Sequence, residues 1–299
     1  MRVLVTGSNG FIGSNVCRYL KKQGCQVIGL GRRDASSIAE VDEYVQCDLS
    51  TEKTAHILDE QTVDAVVHLA ADMRHAPDEI EVVQHNCVGT QRLLELCEAK
   101  NVPSFIQLSS LPVIGRPVEH PITEQHPLHP PTVYHCTKHM QEMLANYACY
   151  THGLRTVSYR ISAPVGIGMN QKTIFPTFVR NAIAGTDITL MGQGSRCQTY
   201  VHVDDIAQAI YKAILSEKAC GVYNLGSHNL ISNKDLAEKC VTVLGSSSRI
   251  VFSGKPDPMD LDVWDVSLKH LTEDTGYQPM ISIEYAIVEQ ASALRGQNK

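Results

Sequence analysis

The sequence is poor in large aromatics. It has one tryptophan and five phenylalanines in 299 residues, and aromatic residues total 6%. No apolar run approaches the ~20 residues that a membrane-spanning helix requires, so a membrane role is not expected. A dominant charge of one sign is also lacking. Lys and Arg number 26 against 32 Asp and Glu, a net charge of −6, which gives nucleic-acid binding no electrostatic support. No CxxC pair occurs among the ten cysteines, at positions 17, 25, 47, 87, 97, 136, 149, 197, 220 and 240. The expected state is reduced, mostly buried thiols in a cytoplasmic protein. Met1-Arg2 runs directly into a strand-like segment, so no secretory leader is read. His120, His126 and His129 lie in a proline-rich stretch, and His135 and His139 are one helical turn apart. No Cys or carboxylate cluster accompanies them, so no metal site is expected.

What is present is an ordinary globular composition, 43% apolar and 19% charged. Short β-branched runs alternate with helical stretches. Strands are predicted at Arg2–Thr6, Gln26–Leu30, Val63–Leu69, Ser104–Ser109 and Arg155–Ile161, with a strand-like run at 43–49. Helices are predicted at 11–23, 80–100 and 133–151. Alternation of this kind implies βαβ units, a parallel sheet and helices on both faces: an α/β, Rossmann-type doubly wound fold. The pattern loosens after Pro164. Helices are expected at 172–185, 204–218, 232–245 and 282–295, a strand at 221–225 and a loop at 192–199. The expected organisation is a dinucleotide-binding domain over 1–164, with 200–226 returning to it. A smaller, mixed substrate-binding lobe is expected over 165–199 and 227–299.

Residues 6–13 read TGSNGFIG. Gly7, Gly10 and Gly13 follow a strand and open a helix. A pyrophosphate needs bare backbone beside it, and a helix N-terminus supplies amides and partial positive charge. After the second strand the chain reads Gly31-Arg32-Arg33-Asp34. An acid there would hydrogen-bond the ribose hydroxyls of NAD, whereas guanidinium groups match the extra phosphate of NADP. Either cofactor fits, and the two arginines favour NADP.

Tyr134 and Lys138 form YHCTK, one helical turn apart on one face. An ammonium near a phenol favours the phenolate and lowers its pKa, making a usable proton donor and acceptor. Ser109-Ser110 end a strand upstream, and strand C-terminal ends are where open α/β sheets bind ligands. Asn86 lies in a helical stretch, HNCVGT, where it can order backbone or water near the lysine. Asp48-Leu49 closes a strand-like run, a sensible place for an adenine contact. His68-Leu69-Ala70-Ala71 ends another strand with small residues across which a cofactor can lie.

TGSNGFIG, CDLS, HLAA, NCVGT, SS before LPVIG, YHCTK, YRISAPVG and YVHVDD occur in this order. As a set they resemble the extended short-chain dehydrogenase/reductases, the NAD-dependent epimerase/dehydratase group acting on nucleotide sugars. The likeness spans nearly the whole chain and fades after about residue 230. It implies that Phe11 and Ile12 offer amides to the pyrophosphate, and that Asp48 and Leu49 hold the adenine. It further implies that Ala70, Ala71 and Met73 line the cofactor channel, with Leu69, Asn86 and Ser109 in the cofactor-binding set. Tyr134 becomes the acid/base, Lys138 the nicotinamide-ribose ligand and Ser110 the group that polarises the reacting oxygen. Ser162 and Pro164 fall beside the nicotinamide. A homodimer through the helices at 80–100 and 134–150 is the resembling family's usual mode.

The sequence also departs from that pattern. Leu111 and Pro112 follow Ser110 where dehydratases carry an acidic pair, which disfavours dehydration. Ala163 replaces a substrate-binding asparagine and Ile114 a tyrosine, which casts doubt on ordinary glucose/galactose epimerisation. Arg196 is a candidate for a substrate diphosphate, and Trp264 for the sugar pocket. The expected activity is hydride transfer at a sugar carbon of a nucleotide sugar, C4 being favoured, as an epimerase or a 4-keto-sugar reductase. Two alternatives stand beside it: a reductase of a non-sugar aldehyde or ketone, and a non-catalytic dinucleotide-sensing module.

Overall fold

The computed structural model describes residues 1–59, 61–74 and 79–296. In chain order it places β1 (Arg2–Thr6), α1 (Phe11–Lys22), β2 (Gln26–Gly31), β3 (Glu43–Gln46) and β4 (Ala65–His68). Next come α2 (Glu79–Val83), α3 (Gly89–Ala99), β5 (Ser104–Ser110), α4 (Val133–His152) and β6 (Arg155–Ile161). The remaining strands are β7 (Ala163–Val165), β8 (Ile188–Leu190), β9 (Cys197–His202), β10 (Gly221–Leu225), β11 (Asn229–Ser232), β12 (Ile250–Phe252) and β13 (Val263–Trp264). The remaining helices are α5 (Ile174–Ala184), α6 (Val203–Leu215), α7 (Asn233–Leu244), α8 (Lys269–Thr275) and α9 (Ile283–Gly296).

Seven strands form one parallel sheet in the order β10-β6-β5-β4-β1-β2-β3. The pleat divides its apolar side chains between two layers. Val3, Val5 and Val67 pack with Val16 and Leu20 of α1 and with Ile206 and Ile210 of α6. Leu4, Val66 and Phe105 pack on the other face with Leu93, Leu94 and Cys97 of α3. This is the Rossmann-type α/β fold. Its strand order reverses between β1 and β4, so the connections leaving those strands diverge and open a cleft at their C-terminal ends.

Beyond β6 the architecture is mixed. β7, β11 and β13 pair with β9, and β8 pairs with β12. Phe175 and Phe178 of α5 pack there against Leu236 of α7 and Ile287 of α9. Residues 297–299 of the expected second lobe lie outside the described residues.

Two local expectations are corrected. The helix expected over 80–100 is broken by a π turn, Gln84–Val88, between α2 and α3. That turn carries Asn86, whose carboxamide is pinned to the neighbouring Asp72 backbone. Single-turn π bulges often mark a site where one side chain must be re-aimed. The loop expected over 192–199 gives way to β9 at Cys197, because partners distant in sequence claim its backbone.

No helix among the described residues is long and apolar enough to cross a membrane. All ten cysteines are free thiols, but only five are buried, fewer than expected. Cys87, Cys149 and Cys197 are half-buried, and Cys136 and Cys220 are exposed. Among the described residues no group of three His, Cys, Asp or Glu side chains is placed to hold a metal ion. His126 is instead a buried organiser of the proline-rich stretch, accepting the Val118 N–H at 3.0 Å.

Candidate active site

Two adjoining cavities fill the cleft, an inner one of about 740 Å³ and an outer one of about 460 Å³. Gly7, Gly10, Leu69 and Ala71 border both. The glycine turn between them is sterically closed to side chains. Gly7 has φ +68°, and a Cβ on it would sit 2.8 Å from the Ala70 nitrogen. A Cβ on Gly13 would sit 2.1 Å from the Gly7 carbonyl oxygen. α1 therefore packs hard against the turn. Its N-cap, Gly10, makes no side-chain capping bond, and its first turn holds no acid. The opening amides and positive helix end face the cleft uncompensated, an arrangement that fits a dinucleotide pyrophosphate.

The inner cavity brings together Phe11, Ile12 and Gly13 of the turn, Met73, the β5 terminus at Ser109 and Ser110, and Tyr134 and Lys138 of α4. Ser162, Ala163, Pro164 and Arg196 close its far side. The outer cavity holds Arg32, Arg33, Asp48, Leu49, Ala70 and Asn86. α4 starts where it does because Thr132 follows two prolines and caps it, accepting the His135 N–H at 3.4 Å. Tyr134 and Lys138 then fall in its first two turns.

Lys138 is buried, and its Nζ donates to the Leu108 carbonyl at 2.8 Å. Burial lowers its pKa to about 8. Its ammonium lies 5.8 Å from the centroid of the half-buried Tyr134 ring. The expected acidification of the phenol is not seen. Burial pushes Tyr134 up to about 12, because desolvation of the phenolate outweighs an ammonium at that distance.

Ser110 and Ser109 point to opposite sides of the pleat. Ser109 borders the cavity, but its hydroxyl donates to Glu142 Oε1 at 2.6 Å, in a buried cluster where Arg160 Nη2 donates to Glu142 Oε2 at 2.8 Å. Asn86 is likewise an organiser. It accepts the Asp72 N–H at 2.7 Å and donates to the Asp72 carbonyl and the Thr137 hydroxyl, both at 2.9 Å. Gln198 turns its carboxamide oxygen to the Arg196 guanidinium, accepting from Nη2 at 2.7 Å and Nε at 3.0 Å. Trp264 lines the cavity and, 9% exposed, is also part of the core.

Several cleft residues carry no motif of their own. Asp72 accepts from Arg74 Nη2 at 2.6 Å and contacts His85 Nδ1 at 2.8 Å. The Arg74 guanidinium holds the Asp72 carboxyl well below the usual range. Arg74 also reaches the inner cavity, and Gln198 and Thr199 border it. Only position offered a signal for them: His85 precedes Asn86, and Gln198 stands two residues beyond Arg196.

The profile of the NAD dependent epimerase/dehydratase family matches residues 3–226. The chain belongs to that family. This epimerase/dehydratase-family chain is 27% identical to a dTDP-glucose 4,6-dehydratase of Streptomyces niveus, across 97% of its own length and 91% of the relative's. It is 31% identical to the low-salt glycan biosynthesis protein Agl12 of Haloferax volcanii, across 83% and 84% of the two chains. A Thermus thermophilus UDP-glucose 4-epimerase, solved in complex with NAD, superposes with a TM-score of 0.82 at 25% identity, covering 99% of both chains. A Thermotoga maritima UDP-glucose 4-epimerase, solved with UDP-glucose, superposes with a TM-score of 0.88 at 23% identity over both whole chains, a likeness of fold.

Proposed function

We propose that this protein is a nucleotide-sugar enzyme that interconverts an alcohol and a ketone at a sugar carbon, C4 being the favoured position. The observation that carries the reading is that Ser110, Tyr134 and Lys138 line the same cavity as the glycine turn. A nicotinamide dinucleotide bound at that turn supplies the hydride acceptor and donor. Phe11 and Ile12 present amides to its pyrophosphate, Asp48 and Leu49 enclose its adenine, and Ala70, Ala71 and Met73 border its path. Ser162 and Pro164 close the nicotinamide end. The named relatives support a sugar nucleotide as substrate and NAD as one candidate cofactor.

Tyr134 takes the proton from the sugar hydroxyl during oxidation and returns one to the ketone oxygen during reduction. Ser110 holds that oxygen by a hydrogen bond. Lys138 leaves the Leu108 carbonyl for the nicotinamide ribose, which brings its ammonium to bear on the phenol. Arg196, steadied by Gln198, pairs with the substrate diphosphate. The second lobe, 165–199 and 227–299, selects the substrate.

No carboxylate borders the inner cavity among the described residues. Water elimination needs a further acid/base pair there, so epimerisation or net reduction is favoured over dehydration. Arg32 and Arg33 border the outer cavity, while Asp34 turns to Gln46 Nε2 at 2.8 Å. That arrangement supports NADP and, with it, net reduction.

The test is incubation with reduced cofactor and a 4-keto-hexose nucleotide. Stoichiometric loss of the reduced-nicotinamide absorbance identifies a reductase. A changed sugar without net cofactor loss identifies an epimerase. Turnover of simple ketones alone would favour the non-sugar reading, to which Leu111, Pro112 and Ala163 lend an apolar wall. Binding of cofactor with no turnover of any carbonyl would leave a dinucleotide-sensing module.

A homodimer is part of the same proposal. Ile80 and Val83 of α2 and Met140, Met143 and Tyr147 of α4 are large apolar side chains left exposed. Sedimentation equilibrium is expected to return twice the chain mass.

A further inference from the structure

Far from the cleft, α4 ends beside the edge of the main sheet. Cys149 sits in the last turn of that helix, and Cys220 immediately precedes the edge strand β10. Their sulfurs are 3.1 Å apart, within thiol hydrogen-bond contact, although 71 residues separate them in sequence. Cys149 is half-buried and Cys220 exposed, so small solutes can reach the pair.

The backbone around Cys220 is firmly held. Its N–H donates to the Tyr223 hydroxyl at 3.1 Å, and that hydroxyl donates to Asp274 Oδ2 at 2.7 Å. Arg155, at the start of the neighbouring strand β6, donates to the Ala213 and Ile214 carbonyls at 2.8 and 3.1 Å. Burial, reinforced by the Cys149 thiol, pushes the Cys220 thiol up, and the Arg155 guanidinium offsets this only in part. Both sulfurs are thus presented to each other by rigid elements, one from a helix end and one from a sheet edge.

We propose that Cys149 and Cys220 form a dithiol–disulfide site that an external disulfide oxidises, tethering the end of α4 to β10. In the first step the Cys220 thiolate attacks one sulfur of a small-molecule disulfide RSSR, breaking its S–S bond and releasing one thiolate RS⁻. In the second, the Cys149 thiolate attacks the Cys220 sulfur of the mixed disulfide and releases the other RS⁻. The protein gives up two protons and two electrons, and RSSR is reduced to two RSH. The tether closes a long loop and restricts the unfolded chain. It joins the helix that carries Tyr134 and Lys138 to the sheet without touching the cleft.

The experiment treats the full-length protein with oxidised glutathione and digests it with trypsin without reduction. Cys149 lies in the tryptic peptide 139–155 and Cys220 in 219–234, each holding a single cysteine. The expected product is these two peptides joined, two hydrogens lighter than their sum, and separated again by reductant. Oxidation is expected to raise the melting temperature by about 5 °C. Both effects vanish in Cys149→Ala and in Cys220→Ala, and both persist in Cys136→Ser, which removes an exposed thiol elsewhere on α4. Glutathione adducts at Cys220 or Cys136 without the 149–220 linkage overturn the proposal. So does the linkage with an unchanged melting temperature, since the bond would then not restrain the end of α4 against β10. A variant that fails to fold leaves the peptide linkage in the native chain as the deciding measurement.

Discussion

The ammonium of Lys138 donates to the carbonyl of Leu108, on strand β5, at 2.8 Å. The lysine is therefore held against strand β5, and burial makes Tyr134 a weaker acid than free tyrosine, at about 12.

Tyr134→Phe removes the hydroxyl and little else from the half-buried ring. Turnover is expected to fall by about 100-fold or more, the scale of a lost general acid/base. Dinucleotide affinity, read by fluorescence titration, is expected to stay within about twofold, because a change under 0.5 kcal/mol is all that one non-contacting hydroxyl commands. Retained turnover would show that another group moves the proton.

Lys138 is buried, and its pKa falls from 10.5 to about 8 on folding. Between those values the unfolded chain binds more protons than the folded one, so stability rises with pH across that window. Lys138→Met has no such group. Urea midpoints measured from about pH 8 to about 10.5 are expected to climb more steeply in the native sequence than in the variant.

His68 titrates in the opposite part of the scale. The Thr6 hydroxyl lies 2.8 Å from its Nδ1 and already accepts the Leu69 and Ala70 N–H groups at 3.1 Å, so its own hydrogen points to the ring. Its Nε2 lies 3.0 Å from Thr90 Oγ1 and 3.3 Å from Gln141 Nε2, and the buried imidazole is neutral. Burial lowers its pKa from 6.5 to about 3. The unfolded chain binds the extra proton between those values, so stability is full above about 6.5 and falls as pH drops toward 3. His68→Gln is expected to flatten that acid limb in pH-dependent denaturation.

Gly13→Ala places a methyl group 2.1 Å from the Gly7 oxygen. Relief requires α1 to lift off the turn, at a cost of about 3 kcal/mol. Chemical denaturation is expected to register that loss, and dinucleotide binding is expected to disappear with the displaced amides.

Arg32→Ser combined with Arg33→Ser separates the two cofactors. If the guanidinium groups hold the extra phosphate, NADPH binding weakens by about 10-fold or more while NADH binding is unchanged. Equal effects on both cofactors would remove the support for NADP.

Much of the site was legible residue by residue. Gly7, Gly10 and Gly13 have a local reason to be glycine, and Tyr134 and Lys138 meet through helical spacing alone. Other roles were not legible. Ser109 and Ser110 are adjacent and chemically identical, and only the pleat, with Glu142 on one side of it, decides which hydroxyl faces the cleft. The break in the 80–100 helix depends on Asn86 finding Asp72 and Thr137, partners from two other segments. Strand β9 depends on three strands remote in sequence.

By itself, then, the order of residues determined the alternation of strands and helices, the glycine turn and the one-turn spacing of Tyr134 and Lys138, because each follows from spacing within a few turns of chain. Tertiary structure alone decided where Lys138 stores its ammonium, how far burial shifts Tyr134 and His68, and which cysteines meet. Those depend on the dielectric and on neighbours brought from distant segments, and neither exists until the chain has folded.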